Sequence, residues 1–70
     1  MKRIKGMVTR AILTKGYAFV AGEDEREYFF HVGSLDVEED WVRVHKGAWI
    51  EFEPAEISPG RWRTAKVTLC

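Results

Sequence analysis

The sequence predicts an all-β fold, a closed barrel of five strands in Greek-key order. Segments rich in β-branched and aromatic residues alternate with short turns of Gly, Pro and polar residues. The first three segments follow one another closely, whereas a longer connection precedes the last two, which form a hairpin. Closure of such a sheet removes its exposed edges and buries one face of every strand.

The first three strands are predicted to form a meander with tight links. The first strand covers residues 4–13, and a short turn at 14–16 leads into the second at 17–21. A polar connection at 22–26 precedes the third strand at 27–32. All three are rich in β-branched, apolar or aromatic residues, which favour a half-buried pleated surface.

The second half of the chain contains the long connection. Residues 33–47 combine acids with isolated valines, which predicts one turn near 34–35 followed by a loop. A fourth strand is predicted at 48–56, where apolar and polar residues alternate. A turn at 58–60, whose Pro and Gly supply the required backbone angles, leads into the fifth strand at 61–69.

The alternation of side chains along a strand predicts which residues face the barrel interior. In the second strand Ala18 and Val20 share the inner face, which leaves Tyr17 and Phe19 on the outer face. Exposed rings in such a cluster indicate a surface that something else covers. The predicted core residues are Ile4, Val8, Ala18, Val20, Tyr28, Phe30, Ile50, Phe52, Ala65, Val67 and Leu69.

Length and composition place the chain among small globular domains. Its 70 residues, 46% of them apolar, predict a single domain over residues 1–70. No apolar run approaches the roughly 18 residues of a membrane span, and no long apolar segment follows the basic N-terminus. A cytoplasmic location without a membrane anchor is therefore expected. Cys70 is the only cysteine, which excludes an internal disulfide.

The charges balance overall but are unevenly distributed. Lys and Arg number 11, as do Asp and Glu, and the formal net charge is zero. Residues 1–15 carry basic side chains and no acid, whereas acids cluster at 23–27 and 36–40. The chain contains no nucleophile–histidine arrangement, phosphate loop or metal-ligand spacing, and His31 and His45 are its only imidazoles. We therefore expect no enzymatic activity, cofactor or metal site.

Aromatic residues dominate the second and third strands. The run from Lys15 to Val20 matches the RNP1 pattern of nucleic-acid-binding proteins, and the run Tyr28–His31 follows it closely. Tyr17, Phe19 and Phe29 belong to the outward set of these strands. Because unpaired bases stack on such rings, the sequence predicts that the protein binds single-stranded nucleic acid.

With these motifs the chain resembles the cold-shock domain family, which belongs to the OB-fold class. The resemblance extends from Lys5 to Leu69. It implies an OB-fold barrel that binds single-stranded RNA or DNA with little sequence specificity, as an RNA chaperone or a regulator of transcription or translation. The matching segments are Lys5–Val8 in the opening strand, Lys15–Val20 as RNP1, Tyr28–His31 as RNP2, Lys46-Gly47 with Ile50–Glu53, and Ala65–Val67 near the end.

The resemblance also implies an aromatic platform with a basic border. Trp41 stands where the family often has a loop aromatic that reaches a base. Lys5, Arg10 and Lys15 are predicted phosphate contacts. The complete candidate set is Lys5, Arg10, Lys15, Tyr17, Phe19, Phe29, His31 and Trp41.

Three positions depart from the family pattern. Arg10 and Ala11 stand where the family has Trp and Phe, and Val32 stands where Phe is common. Each base–ring stack contributes about 1–3 kcal/mol, so these departures predict weaker or differently tuned binding. Stacking of the Arg10 guanidinium on a base partly offsets the loss.

An alternative is an interaction module that keeps the barrel but binds a protein. The zero net charge and the missing Trp-Phe pair favour this alternative. Trp49 and Trp62 both fall at outward positions of the last hairpin. Either they pack beneath the connection at 33–47, or they are contacts for a partner protein or for a second copy of the chain. Because Trp62 is close to the turn at 58–60, its alternation also allows an inward orientation.

Overall fold

Five strands close into one barrel in the computed structural model, which describes residues 2–70. The strands are β1 (Ile4–Ile12), β2 (Tyr17–Gly22), β3 (Glu27–His31), β4 (Trp49–Ser58) and β5 (Arg61–Leu69). Their order around the barrel is β1-β2-β3-β5-β4, and β4 pairs with β1 to close it. The predicted all-β, five-stranded barrel is confirmed, and the strand order is consistent with the OB-fold class.

One junction of the barrel is parallel and short. β3 and β5 run in the same direction and pair at Tyr28 with Trp62 and at Phe29 with Arg63. The neighbouring junctions β1–β2, β2–β3, β1–β4 and β4–β5 are antiparallel and longer. The hairpin of β4 and β5 therefore extends beyond its contact with β3, which leaves a groove on the outside of the barrel.

Three register shifts interrupt the antiparallel pairing. In β1 an extra residue lies between Val8 and Arg10, and in β4 an extra residue lies between Glu56 and Ser58. The third extra residue lies in β5, where Lys66 adopts a φ of 50°. A bulge of this kind turns the side chains that follow it to the opposite face of the sheet.

The core is largely the predicted one, with a local error in β5. The prediction for Ala65 is wrong, because this residue is only half-buried while Thr64 is buried in its place. The bulge at Lys66 explains the change, since it lets Thr64 and Val67 both face inward although they are three residues apart. Leu69 is also only partly buried, but it packs against the core as expected.

In the predicted connection over residues 33–47, the turn near 34–35 is confirmed, whereas the loop predicted after it is wrong over residues 38–43. The connection contains short 3₁₀ helices at Val32–Ser34 and Glu38–Arg43. The second helix and the residue after it place Trp41 and Val44, one helical turn apart, in the core at one end of the barrel. None of the helices among residues 2–70 is long and apolar enough to cross a membrane.

Gly6 and Gly22 face each other across β1 and β2, where the packing leaves no room for a side chain. A Cβ atom on Gly6 would lie 2.7 Å from Cγ1 of Val20 and 2.9 Å from the carbonyl oxygen of Ala21. A Cβ atom on Gly22 would lie 2.6 Å from the ring of Tyr28. Glycine is therefore required where these strands cross the core.

We expect Gly6→Ala to lower the free energy of unfolding by about 1–3 kcal/mol, because the added methyl group overpacks the core and presses on backbone. Urea unfolding should show a lower midpoint with an unchanged slope. Lys5→Ala is the matched control, since this neighbour is exposed and its loss should change stability by less than about 0.5 kcal/mol. Equal effects of the two substitutions would contradict the packing argument.

Candidate nucleic-acid interface

Tyr17, Phe19 and Phe29 form a ring cluster on the outside of β2 and β3. Tyr17 lies opposite His31 in the pairing of these strands, and Phe19 lies opposite Phe29. The rings of Tyr17 and Phe29 stack with their centroids 5.6 Å apart and an angle of 29° between their planes. Phe19 meets these two rings edge-on, at 5.8 and 6.1 Å. The three rings therefore make one continuous aromatic surface.

The ring cluster is exposed because the alternate residues of the same strands fill the core. Ala18, Val20, Tyr28 and Phe30 are completely buried. Phe29 remains 36% exposed, and Tyr17 and Phe19 are half-buried because the rings cover one another. This surface offers ring faces and edges on which planar groups can stack.

His31 continues the ring cluster at the end of β3. Its side chain is exposed, and its Nδ1 atom accepts a hydrogen bond from the backbone N–H of Gly33 at 3.0 Å. In the neutral imidazole this bond places the proton on Nε2. The carbonyl oxygen of His31 accepts a second bond from the hydroxyl of Ser34 at 2.8 Å. The chain that follows β3 thus holds the imidazole beside Tyr17.

Arg10 reaches the ring cluster because of the bulge in β1. Val8 faces the core, so simple alternation would turn Arg10 inward as well. The extra residue, Thr9, lets Arg10 point outward and pair directly with Phe19. Ala11 then faces inward and packs against the core.

The three departures from the family pattern therefore differ in their consequences. Ala11 and Val32 both pack against the core, so an aromatic residue missing at these positions is missing from the interior. Arg10 alone stands in the outward set beside Phe19. At this one position a guanidinium, and not a ring, lies on the outer surface.

Arg63 belongs to the same surface, although the sequence pattern does not predict its position there. Its partner in the parallel β3–β5 junction is Phe29, and its side chain is exposed. The predicted inward set of Ala65, Val67 and Leu69 would have placed Arg63 inward too. The bulge at Lys66 reverses this orientation. The sequence carries no signal for it, because bulged residues with positive φ are usually glycine or asparagine.

The lysines predicted as phosphate contacts lie at different ends of the surface. Lys15 is exposed at the end of a 3₁₀ turn, two residues before Tyr17, and borders the ring cluster. Lys5 lies at the far end of β1, where it pairs with Glu51 and its carbonyl oxygen accepts the N–H of Glu23. The structure therefore brings Lys15 to the rings but leaves Lys5 among acidic residues.

The expectation that Trp41 reaches a base from the loop is wrong. Its side chain is in the core, and the residue is only 9% exposed. The indole N–H donates a hydrogen bond to the carbonyl oxygen of Leu13 at 3.1 Å. The ring meets Phe30 edge-on at 5.2 Å. Trp41 closes the end of the barrel instead of contributing to the outer surface.

Trp49 and Trp62 do not form a common surface, and of the two orientations that the sequence allows for Trp62 the structure shows the inward one. Trp62 is half-buried against Tyr28, and the guanidinium of Arg26 lies 4.2 Å from its ring centroid. Trp49 is 53% exposed and lies on β4, where it pairs with Met7 of β1. The bulge in β5 accounts for the difference, because it turns Trp62 toward the inner face together with Thr64.

Two adjoining depressions beside Phe29 form the groove between β3 and the β4–β5 hairpin, which we call the β3–β5 groove. Their volumes are about 670 and 340 Å³. Phe29 and Ile57 line both depressions, so the two are continuous. The larger also contacts Phe19 and Trp62, and the smaller also contacts His31 and Arg63.

The turn between β2 and β3 carries a concentration of negative charge. Glu23 and Glu25 are exposed in the turn, and Glu27 is exposed at the start of β3. Burial and a 2.5 Å hydrogen bond donated to Asp24 raise the pKa of Tyr28 to about 12. Burial alone would raise the pKa of Asp24, but the hydrogen bonds from Tyr28 and Arg26 lower it overall. The carboxylate of Asp24 therefore stays ionised and the Tyr28 hydroxyl stays neutral near pH 7.

No protein-family model and no curated protein matches this chain. Within residues 2–70, no group of three or more His, Cys, Asp or Glu side chains is placed to hold a metal ion.

The raised pKa of Tyr28 predicts a loss of stability in alkali. Folding raises this pKa above its ordinary value of 10.0, so the stabilising contribution is complete below pH 10 and is lost toward about pH 12. Tyr28→Phe should be less stable than the parent at pH 7, and its unfolding free energy should fall less over that interval. Denaturant unfolding followed by circular dichroism at several pH values measures both effects.

The control for this experiment is Tyr17→Phe. It removes a hydroxyl that makes no side-chain hydrogen bond with residues 2–70, so its stability should follow the parent's pH dependence. A Tyr28→Phe variant whose stability falls as steeply as the parent's in alkali would show that the bond to Asp24 is not the cause.

Proposed function

We propose that the protein binds single-stranded RNA or DNA on the ring cluster, with little sequence specificity. The observation that carries the proposal is the exposed aromatic surface of Tyr17, Phe19 and Phe29. Every base has a π-face, so a stacking surface accepts bases of any sequence. Strands held in this way are kept from pairing, and RNA-chaperone action or regulation of transcription or translation is the consequence we infer.

The positions of basic residues support the proposal. Arg10, Lys15 and Arg63 border the ring cluster and are exposed. Their positive charges attract phosphates to the edge of the stacking surface, although the formal net charge of the chain is zero. His31 adds a further planar group that stacks when neutral or protonated.

A second candidate function is protein binding through Trp49. The observation that favours it is the exposure of this indole beside Met7, which is itself 36% exposed. Trp49 lies on β4, and β1 separates β4 from the strands of the ring cluster, so a partner on Trp49 leaves the stacking surface free. Salt distinguishes the two functions, since phosphate binding weakens steeply with salt and apolar contacts do not.

Binding of heptathymidine and of its RNA counterpart tests the proposal. The fluorescence anisotropy of a labelled oligonucleotide should rise saturably at low salt, and the affinity should fall steeply at moderate salt. Phe19→Ala and Phe29→Ala should each raise Kd roughly 5- to 150-fold, the loss of one base stack. Circular dichroism shows whether each variant remains folded.

Trp49→Ala is the matched control, because it removes an exposed ring from a different part of the barrel. Its affinity for the oligonucleotide should equal that of the parent. A folded parent protein that binds neither oligonucleotide at low salt would overturn the proposal. A larger loss in Trp49→Ala than in Phe19→Ala would place the ligand elsewhere.

A further inference from the structure

We propose that the bound strand crosses the barrel transversely, from Arg10 on β1 over the ring cluster to Arg63 on β5, and that Arg63 binds a phosphate at the far end. This inference rests on the proposed function and adds to it a path and a binding residue. It follows from the strand register, the shape of the groove and the distribution of charge.

The register places four outward side chains in one row across four strands. Arg10 pairs with Phe19, Phe19 with Phe29, and Phe29 with Arg63. Neighbouring strands lie about 4.8 Å apart, so the two arginines are anchored roughly 14 Å apart. We call these four residues the transverse row. It presents two rings for bases between two cations for phosphates.

Both arginines of the transverse row are free to bind a ligand. Neither side chain forms an ion pair or a hydrogen bond with another side chain or backbone group of residues 2–70. By contrast Arg3 and Arg26 are engaged with Glu51 and Asp24. An unpaired guanidinium can donate two parallel N–H hydrogen bonds to a phosphate, or it can stack its planar group on a base.

The smaller depression of the β3–β5 groove, which Arg63 lines, extends the surface past β3 in the direction of the transverse row, whereas Glu27 lines the larger depression. Because the parallel junction covers only two residue pairs, the hairpin stands apart from β3 and the groove remains open. The bulge in β4 leaves Ile57 58% exposed at its rim. A base above Phe29 can therefore continue into the groove, with its phosphate beside Arg63.

Negative charge opposes the other path, along the strands. A ligand running parallel to β2 and β3 would bring its phosphates past Glu27 to the turn that carries Glu23 and Glu25. Glu27 lies on β3 only two residues from Phe29, on the same outward face. Repulsion between carboxylates and phosphates disfavours this direction. The transverse row crosses the sheet without passing the acidic turn.

The salt dependence of binding tests the path one cation at a time. For a single strand, log K falls with log salt by about 0.7 per phosphate contact. Arg63→Gln and Arg10→Gln should each make this slope shallower by about 0.7, and the double variant should lose about twice as much. Arg63→Lys keeps the charge and should retain the parent slope.

Arg43→Gln is the matched control. It also removes one exposed positive charge, but from the depression that contains Trp49, where its guanidinium lies 3.9 Å from the carboxylate of Asp40. Its slope should equal the parent's. All variants are measured by oligonucleotide anisotropy, and circular dichroism verifies the fold.

The outcomes separate this inference from the proposed function. If Arg63→Gln leaves the slope unchanged while Phe19→Ala still weakens binding, the transverse path is wrong and the stacking function stands. If Arg43→Gln changes the slope as much as Arg63→Gln, the effect is one of total charge and the path is also wrong. If the parent binds no oligonucleotide, both proposals fail together.

Discussion

A strand in a closed barrel has one face in the core and one face outside, and the surface of this protein follows from that constraint. In β2 the side chains of Ala18 and Val20 lie in the interior, and in β3 those of Tyr28 and Phe30 do. The residues between them must then lie outside, and they are aromatic. The connection after β3 seals the end of the barrel with Trp41 and does not cover the rings. The stacking surface is therefore a consequence of how the core is filled.

Bulges determine which cations join that surface. Thr9 turns Arg10 outward, and the bulge at Lys66 turns Arg63 outward. Arg3 stabilises the bulge at Lys66. Its guanidinium donates four hydrogen bonds, of which one reaches the carbonyl oxygen of Lys66 at 2.8 Å. The other three reach Glu51 and Thr68, so a single guanidinium connects the start of the chain to β4 and β5. Charge-assisted bonds of this kind stabilise an irregular backbone that simple pairing would not.

Net charge is a poor guide to the local electrostatics of this barrel surface. Equal numbers of acidic and basic residues give a formal charge of zero, yet the acids of the β2–β3 turn and the arginines of the transverse row lie in separate regions. Within a Debye length of about 8–10 Å a phosphate responds to the nearest charges and not to the sum. The same separation favours one orientation of a polyanion on the ring cluster. The end near the acidic residues repels the polyanion, and the flanks with the arginines attract it.

Most of the fold is predicted by the sequence alone, because side-chain alternation and turn-forming residues depend only on a few neighbouring positions in the chain. The five strands, the outward position of Tyr17, Phe19 and Phe29, and most of the core followed from that local pattern. The 3₁₀ helix that buries Trp41, the inward turn of Trp62 and the presence of Arg63 beside Phe29 did not. Each depends on an extra residue in a strand or on a contact with a distant segment. Such register shifts are set by packing between segments far apart in the chain, which no local pattern records.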